Sequence, residues 1–443
     1  MKFILAVLSS LVLLAPAPVR AADSSPRAAA PATPATLIYA GRVFDSEAGQ
    51  MLGPRLILVQ DGRIAEMGSA LAVPPGTRRL DLRGYTVLPG LIEAHAHLLM
   101  EHPGDEHNTL TVTKAVAIEG DPLRALRGAA RARSYLEAGY TTVRDLGNAG
   151  RYADVALKRA IDEGSVPGPR LFVSGPGLAP EGGQVPDLAP GQGAIVDGDY
   201  RVVRGVEDAR QAVREHAYHG VDLIKIYSNS SPNKTLLSVE EMRAIVDEAH
   251  LYKLKVTAHA TTDAAIARAL DAGVDAIEHG YVVSDATLRR MRDRAVPLVP
   301  TDMDLLLAEK QVRKLAMPLT QEGIAALAKP FHERLRRARA AGVAIAAGSD
   351  MYMNLGLNRG EAARRVLFAY REAGLAPRDI LQAATINGAR LLGELAGSGL
   401  GVLEKGAHAD IIAVRGDPLE DLEALGQVVF VMKGGQVVRA PAP

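Results

Sequence analysis

The sequence contains no cysteine in its 443 residues. This absence excludes disulfide bonds, cysteine lipidation, thiolate metal ligands and cysteine nucleophiles. Any metal site must therefore use nitrogen and oxygen ligands. The sequence also has no excess of charge, because 51 Lys and Arg residues balance 51 Asp and Glu residues, and it has no dense basic block. We therefore expect neither nucleic acid nor an anionic membrane surface as the main partner.

The sequence has no apolar N-terminal run long enough to cross a bilayer. Lys2 precedes an apolar stretch over residues 3–15, and small residues follow at 21 and 22. The stretch is shorter than the ~20 residues of a membrane-spanning helix, so the pattern favours a cleaved secretory signal peptide over a retained membrane anchor. We predict that residues 1–21 direct export to the periplasm or the medium, and that the mature protein has no stable membrane insertion.

Composition and patterning divide the rest of the chain into three parts. The sequence is 48% hydrophobic and 23% charged, which is ordinary for a globular protein with a large core. Residues 22–36 are rich in Ala, Pro and Ser, which predicts a flexible arm. Alternating apolar and polar residues with two-residue turn signals occur near both ends of the chain. They predict one small, discontinuous β domain from residues 37–88 and 401–443.

The central region, residues 89–400, alternates short apolar runs with amphipathic helical stretches. This alternation predicts parallel strands covered by crossover helices. Eight repeats without a glycine-rich dinucleotide motif favour an α/β fold of the closed (β/α)8 TIM-like type over an open sheet. Residues 101–121 and 181–200 lack periodicity and are predicted to be loops over the barrel mouth. The runs are TVLPGLIEAHAHL, TTVRDLG, RLFVSG, LIKIYS, KVTAHA, AIEHG, PLVPT and VAIAAGSD.

Polar residues lie at comparable points in five of these runs, where barrel enzymes place their active sites. The first run ends in His95-Ala96-His97, so both imidazoles lie on one face of an extended chain, as a shared metal requires. Lys225 lies between two isoleucines in the fourth run. A lysine directed into a barrel is costly unless it is neutralised or paired. The other three residues are His259, His279 and Asp350, in the fifth, sixth and eighth runs.

Each of these residues can also be given a purely structural role. A histidine near a strand end is often a hydrogen-bonded core residue, and Asp350 is suited to cap the following helix. Lys225 is harder to explain in this way, because a side chain inside a barrel cannot reach solvent along its stem. Five independent coincidences are less plausible than one shared site. We therefore predict a metal site at the barrel mouth.

The motifs GLIEAHAHL, VTAHA, AIEHG and AAGSD, with the lysine strand, resemble the amidohydrolase superfamily in order and spacing. GYTTVRDLG, GPRLFVSG, AATINGARLLG and ADIIAVRGDPL are similar to its imidazolonepropionase-like branch, which includes Xaa-Pro dipeptidases, carboxypeptidase-like enzymes and ochratoxin-degrading amidohydrolases. The resemblance covers nearly the whole mature chain, including the split β domain. It is more specific for the superfamily than for the substrate.

The resemblance implies a site for two divalent metal ions. Carried over by position, His95 and His97 would bind the more buried ion together with Asp350. His259 and His279 would bind the second ion. Nitrogen and carboxylate ligands make zinc the expected metal, with manganese or cobalt as substitutes.

The resemblance also implies that carbon dioxide carboxylates Lys225 to a carbamate that bridges the two metals. The chemistry is consistent, because a buried amine is easily deprotonated and two adjacent dications need an anionic bridge. The metals would activate a bridging water as hydroxide and polarise the scissile carbonyl. Asp350 would take the proton of this water and pass it to the leaving amine.

Four further residues are considered for substrate binding. Tyr227 faces the same side of its strand as the lysine, either to donate a hydrogen bond to the substrate or to fill the barrel. Arg359 and Arg144 are each suited either to clamp a terminal carboxylate or to form a structural ion pair, and for Arg144 the adjacent Asp145 favours the ion pair. Gln184 follows a Gly-Gly pair where many members of the branch have histidine. This departure favours an acyl group that is bulkier or less polar than that of an ordinary dipeptide.

The leading hypothesis is hydrolysis of an amide that joins an acyl group to an amino acid. The substrate would be an Xaa-Pro dipeptide, an N-acyl amino acid, or ochratoxin A, which would give ochratoxin alpha and phenylalanine. Deamination or ring opening of a cyclic amide, as in other members of the branch, is disfavoured by Lys225, because those members usually use one metal without a bridging lysine. Ester or lactone hydrolysis is a further enzymatic hypothesis, and an inactive binding protein is the non-enzymatic one. The resemblance further implies a homo-oligomer, with an octamer as one candidate assembly.

Overall fold

The computed structural model of the chain describes residues 34–441 except 107 and 398, and leaves the side chain at 396 undescribed. The predicted signal peptide and residues 22–33 of the predicted arm lie outside this part. The first strand begins at Thr36, at the end of that arm. Within the described part, no helix combines the length and the apolar composition that a bilayer crossing requires.

Strands come from both ends and from the middle of the chain. In chain order they are β1 (Thr36–Asp45), β2 (Gln50–Leu52), β3 (Arg55–Gln60), β4 (Arg63–Gly68), β5 (Arg78–Pro89), β6 (Leu91–Ala96), β7 (Tyr140–Asp145), β8 (Arg170–Val173), β9 (Gly177–Ala179), β10 (Tyr200–Val202), β11 (Leu223–Tyr227), β12 (Lys255–Ala260), β13 (Ala276–His279), β14 (Leu298–Val299), β15 (Ile411–Val414), β16 (Val428–Lys433) and β17 (Gln436–Arg439).

The helices fill the connections between the central strands and the segment that leads to β15. They are α1 (Asn108–Lys114), α2 (Gly120–Glu137), α3 (Ala153–Asp162), α4 (Gly193–Asp197), α5 (Val206–His219), α6 (Val239–Leu251), α7 (Asp263–Ala272), α8 (Asp285–Asp293), α9 (Leu305–Lys314), α10 (Gln321–Ala340), α11 (Arg359–Glu372), α12 (Pro377–Ala383) and α13 (Ile386–Leu392).

The strands from the two ends of the chain form one sheet, as the alternating patterns predict. Its order is β17-β16-β15-β5-β1-β3-β4, with β2 paired to β1. Asp61 and Gly62 join β3 to β4 with φ angles of 48° and 75°. A two-residue hairpin turn of this kind needs positive φ at both central positions, which explains the Asp-Gly pair. The antiparallel pairing of β15 with β5 joins the two ends of the chain.

The central strands form the predicted barrel. Parallel pairs run from β6 through β7 to β8 and from β11 through β12 and β13 to β14. The amide of Asp222 donates to the carbonyl of Val173 over 2.8 Å and links these two groups. Residues 343–350 take the eighth position, where Ile345 bridges β14 and Met351 bridges β6 in parallel. The protein is therefore a (β/α)8 barrel with a separate β sheet built from the chain ends.

One predicted loop over the barrel mouth contains helices. Residues 101–121 include α1, a π-helical turn at Ala115–Glu119 and the start of α2. Only Thr111 and Val112 of α1 are buried, and the π-helical turn has no buried residue. Such a segment shows no apolar periodicity, because periodicity arises from a helix face packed on a core. Residues 181–200 are mostly irregular, in agreement with the prediction, and include the short helix α4.

Candidate metal centre

The five strand ends singled out in the sequence meet at the C-terminal mouth of the barrel. His95 lies in β6 and His97 follows that strand, while His259 and His279 lie at the ends of β12 and β13. Asp350 follows residues 343–349 in the eighth position of the ring. Together with Lys225, which is the central residue of β11, these residues line one cavity of about 570 Å³.

His95, His97 and Asp350, hereafter the inner ligand set, each offer one ligand atom, and these atoms lie within 4.8 Å of one another. Nε2 of His97 is 3.0 Å from Oδ1 of Asp350, and Nε2 of His95 is 3.5 Å from the same oxygen. Nδ1–H of His97 donates to the carbonyl oxygen of Gly147 over 2.8 Å. This bond turns Nε2 toward the carboxylate of Asp350. Imidazole nitrogens and a carboxylate oxygen gathered at one point are the ligands that a metal such as zinc takes, so this set fits a metal ion.

His259 and His279, hereafter the outer pair, lie beside the inner ligand set. Their ring centroids are 4.5 Å apart, and the centroids of His279 and His95 are 5.1 Å apart. Nδ1 of His279 lies 2.8 Å from the hydroxyl oxygen of Thr301 and 3.8 Å from Oδ2 of Asp350. The side chain of Lys225 is 1% exposed in the same cavity. The residues predicted from the sequence as metal ligands are thus brought together.

The backbone at this mouth adopts uncommon conformations at non-glycine residues. The φ angles are 68° at His279, 58° at Thr301 and 51° at Asp350. Left-handed φ is rare outside glycine and is especially unfavourable for a β-branched residue such as threonine. Backbone strain of this kind is typical of functional sites that are fixed by the surrounding fold.

Burial shifts the protonation of these groups toward forms that bind metals. It lowers the pKa of His95 to about 4 and that of His259 to about 3, with Lys225 as a further cause in both cases. Both imidazoles are therefore neutral near pH 7. Burial also lowers the pKa of Lys225 to about 8, despite the opposing effect of Glu278. Burial raises the pKa of Asp350, but the adjacent His95 and His97 outweigh it and keep the carboxyl below its usual pKa.

Glu278 is a site residue that the sequence patterns did not single out. Nδ1–H of His95 donates to its Oε2 over 2.7 Å, and Arg144 and Thr257 bind its Oε1. Although burial raises the pKa of Glu278, Arg144 and His95 hold it well below its usual value. The ionised carboxylate thus fixes the tautomer of His95 and directs Nε2 into the cavity. A charged residue inside the buried run AIEHG was the available signal, as it was for Lys225.

Two of the predicted substrate-contacting residues line the cavity. The Tyr227 hydroxyl donates to Oδ1 of Asn148 over 3.2 Å, and both residues are buried. Nε2 of the Gln184 side chain lies 3.5 Å from Nε2 of His259. Both side chains therefore face the cavity that contains the inner ligand set and the outer pair.

Arg359 lies outside the lining of this cavity, which favours the structural alternative over the carboxylate clamp. Its Nη1 donates to the carbonyl oxygens of Met351 at 2.9 Å and Met100 at 3.2 Å, and Glu101 is 3.5 Å from its Nη2. As the first residue of α11 it turns beneath the mouth loops, so its donors are used within the fold. Arg144 has the structural role that was favoured for it, with Glu278 as its partner.

The amidohydrolase family model matches residues 86–438 of this sequence. The chain belongs to the amidohydrolase family. It is 29% identical to the ochratoxinase of Aspergillus niger over 442 aligned residues, which cover 92% of this chain and 87% of the relative. The crystal structure of A. niger ochratoxinase aligns with a TM-score of 0.76 and 28% identity over 92% of this chain and 96% of that chain.

Two solved peptidase structures are also similar to this chain. A prolidase complexed with N-methylphosphonate-L-proline gives a TM-score of 0.78 at 31% identity, over 92% of this chain and all of that chain. A Xaa-Pro dipeptidase with bound methionine gives a TM-score of 0.78 at 28% identity and the same coverage. Together with the family match, these relatives support amide hydrolysis as the general reaction of this protein.

Proposed function

We propose that this protein uses two divalent metal ions, with zinc as the first choice, to hydrolyse an amide bond between an acyl group and an amino acid. The observation that carries the proposal is a buried lysine in a cavity at the barrel mouth whose lining includes the inner ligand set and the outer pair. Xaa-Pro dipeptides, N-acyl amino acids and ochratoxin A are the candidate substrates. The similar Xaa-Pro dipeptidase supports the first of these classes, and the similar ochratoxinase supports the last.

The donor set fits such a centre. In this proposal the inner ligand set holds one ion and the outer pair holds the other. Lys225 would join these ligands as a carbamate formed with carbon dioxide. A pKa of about 8 leaves part of the Lys225 amine uncharged at neutral pH, and only the uncharged amine reacts with carbon dioxide. The product is an anion, which removes the cost of a buried ammonium beside two dications.

The proposed reaction assigns a separate task to each group at the mouth. The bound ions would supply Lewis acidity and lower the pKa of a water at the site. Asp350 accepts the proton of that water and delivers it to the leaving nitrogen, because its carboxylate belongs to the inner ligand set and faces the cavity. The hydroxyl of Tyr227, which donates to Asn148 in the structure, would turn to donate to the substrate carbonyl or carboxylate. Gln184 offers a further neutral amide donor.

The test is metal content and amide hydrolysis of the purified mature protein, compared with Lys225→Ala. The matched control is Lys255→Ala, which removes a partly buried lysine at the opposite end of the neighbouring strand β12. We expect about two metal ions per chain in the wild type and in the control, as in other binuclear hydrolases. Lys225→Ala should lose metal and activity together.

The substrate panel consists of Xaa-Pro dipeptides, N-acyl amino acids and ochratoxin A, and the best substrate specifies the activity. A single metal ion or none in the wild type, with Lys225→Ala unchanged, would refute the bridging carbamate. Bound metal without cleavage of any amide in the panel would refute the proposed reaction and leave the metal site standing.

Export and assembly are further parts of this proposal. The signal-like pattern of residues 1–21 supports export to the periplasm or the medium, and the family resemblance supports a homo-oligomer. N-terminal sequencing of protein from the periplasm and the medium tests the first part, because export predicts a mature chain that begins near residue 22. Light scattering of the mature protein tests the second.

A further inference from the structure

A second cavity, hereafter the side cavity, opens beside the metal centre. Its volume is about 440 Å³, within the range of small-molecule sites. The cavity of about 570 Å³ that contains Lys225 and the inner ligand set is hereafter called the metal cavity. Three residues, Tyr281, Asp350 and Tyr352, line both the side cavity and the metal cavity. Since Asp350 belongs to the inner ligand set, a substrate held at the metal centre lies directly next to the side cavity.

Aromatic contacts connect the two cavities. The ring centroid of Tyr281 is 5.3 Å from that of His279 and 5.3 Å from that of Phe331. The ring centroid of Tyr352 is 5.9 Å from that of His97. Tyr281 and Tyr352 are half-buried, and each has a metal-site histidine on one side and the side cavity on the other. The boundary between the cavities is therefore formed by two phenol rings, which are apolar surfaces that an aryl or alkyl group can pass along.

The wall of the side cavity is mainly apolar. One stripe of α10, at positions 324, 327, 328, 331 and 332, faces it with the spacing of a helix face, and α9 and the segment after Asp350 close it. Four methionines contribute, and methionine adapts to apolar groups of different shapes. Leu327 is 56% exposed and Met317 is 43% exposed. The described part of the chain thus leaves apolar surface at the rim of this cavity open to water.

Apart from the imidazole of His332, the polar groups of the side cavity offer little to a charged ligand. No lysine or arginine is among its described lining residues. Asp302 is ion-paired with Arg334, and both side chains are buried. The remaining carboxylate, Asp350, belongs to the inner ligand set. An anionic group would meet two carboxylates, and a cationic group would have to compete with the metal site for Asp350. An uncharged apolar group would meet complementary surface.

From these observations we infer that the side cavity binds a bulky, uncharged apolar group of the substrate, aryl or long alkyl, while the scissile amide lies in the metal cavity. This inference rests on the proposed amide hydrolysis and narrows its substrate class. In the proposed reaction Asp350 lies beside the scissile bond, and it also lines the side cavity. Either half of the substrate can therefore extend into the side cavity, so the apolar group belongs either to the acyl half or to the amino acid half. Small, polar dipeptides would leave the side cavity filled with water and would be poor substrates.

The test fills the side cavity and measures substrate selection. Ala328→Phe places a ring in it, and Ala326→Phe places the same ring on the opposite, exposed face of α10 as the matched control. Four substrates combine a small or an aryl-bearing acyl group with glycine or phenylalanine. We expect Ala328→Phe to lower kcat/KM roughly tenfold or more for substrates with the apolar group on the correct half. The kcat/KM of Ala328→Phe for the small substrate should stay within about twofold of the wild-type value. The kcat/KM of the control variant Ala326→Phe should stay within the same range for all four substrates.

A second readout does not depend on activity. Aryl-bearing and small carboxylic acids, which mimic the acyl product, and phenylalanine and glycine, which mimic the amine product, are titrated calorimetrically into the metal-loaded proteins. Tight binding of one aryl product to the wild type and to Ala326→Phe, lost in Ala328→Phe, would support the inference and identify the half. The inference would be overturned if Ala328→Phe and Ala326→Phe had the same kcat/KM values and the same product affinities. It would also be overturned if Ala328→Phe changed only the oligomer size. Absence of cleavage with this binding pattern intact would refute the proposed reaction but not the apolar site.

Discussion

His95 and Glu278 are joined by a 2.7 Å hydrogen bond between Nδ1 and Oε2, and both side chains are almost completely buried. Glu278 is held in turn by Arg144 and Thr257. The carboxylate can only accept, so it requires the proton of His95 on Nδ1 and leaves Nε2 free for a metal. The position of one candidate metal ligand thus depends on a residue in β13, far from His95 in the sequence.

We therefore expect Glu278→Gln to lower zinc affinity by roughly 10- to 100-fold, the usual effect of changing a group that orients a metal-bound histidine. Competition with a chelator of known affinity measures this change. The matched control is Glu248→Gln, which also removes the charge of a buried glutamate paired with an arginine, Arg214, at a distance from the barrel mouth. Equal zinc affinity in wild type and Glu278→Gln would show that His95 does not need its partner.

Metal removal should lower the stability of the protein as well as its activity. A ligand that binds only the folded state at a concentration of about 100 Kd stabilises it by about 2.7 kcal/mol. We expect a chelator to lower the Tm and added zinc to restore it. In His97→Ala, which removes one member of the inner ligand set, the difference between chelated and zinc-loaded protein should shrink. The same Tm with and without chelator in the wild type would show that no resident metal contributes to folding.

The sequence predicts the strand-end residues well, for physical reasons. Parallel barrel strands all place their C-terminal ends at one mouth, so a pattern within each run suffices to bring His95, Lys225 and Asp350 together. The alternation of side chains along a strand also places Tyr227 on the same side as Lys225. None of these predictions requires knowledge of which strands are neighbours.

Other features depend on contacts between distant segments, which no local pattern specifies. Glu278 orients His95 of β6 through a hydrogen bond between segments that are far apart in the sequence. The side cavity forms only when α9 and α10 pack against the segment after Asp350. Arg359 is close to Asp350 in the sequence, but the direction of its side chain at the start of α11 is set by three surrounding carbonyl groups. Proximity in sequence alone therefore could not decide between a carboxylate clamp and a structural role.

Asp154 should make stability depend on pH. It is buried in the first turn of α3, and burial raises its pKa to about 6, although the amides of Gly175 and Val155 donate to it. An acid whose pKa is raised on folding binds its proton more tightly in the folded state, so stability falls as pH rises through about 4 to 6 and stays lower above that window. The loss is of the order of 3 kcal/mol, at about 1.4 kcal/mol for each pKa unit.

Asp154→Asn removes this titration. Urea unfolding at a series of pH values, with metal held constant, should give a difference in unfolding free energy between wild type and variant that changes between pH 4 and 6. Above pH 6 this difference should be level. A constant difference across the whole series would show that the buried carboxyl does not titrate in this window.

Arg359 provides the sharpest test of a structural role against a substrate role. Its guanidinium donates to the carbonyl oxygens of His97, Met100 and Met351 and is largely buried. Arg359→Met keeps the aliphatic stem but leaves these acceptors unpaired, at about 1–3 kcal/mol for each group that stays dry. We expect urea unfolding to show a loss of a few kcal/mol. The ratio of KM values for substrates with a free carboxylate and for their carboxamides should not change, because no donor of Arg359 reaches the metal cavity. A selective rise in KM for the free carboxylates, without loss of stability, would restore the carboxylate clamp.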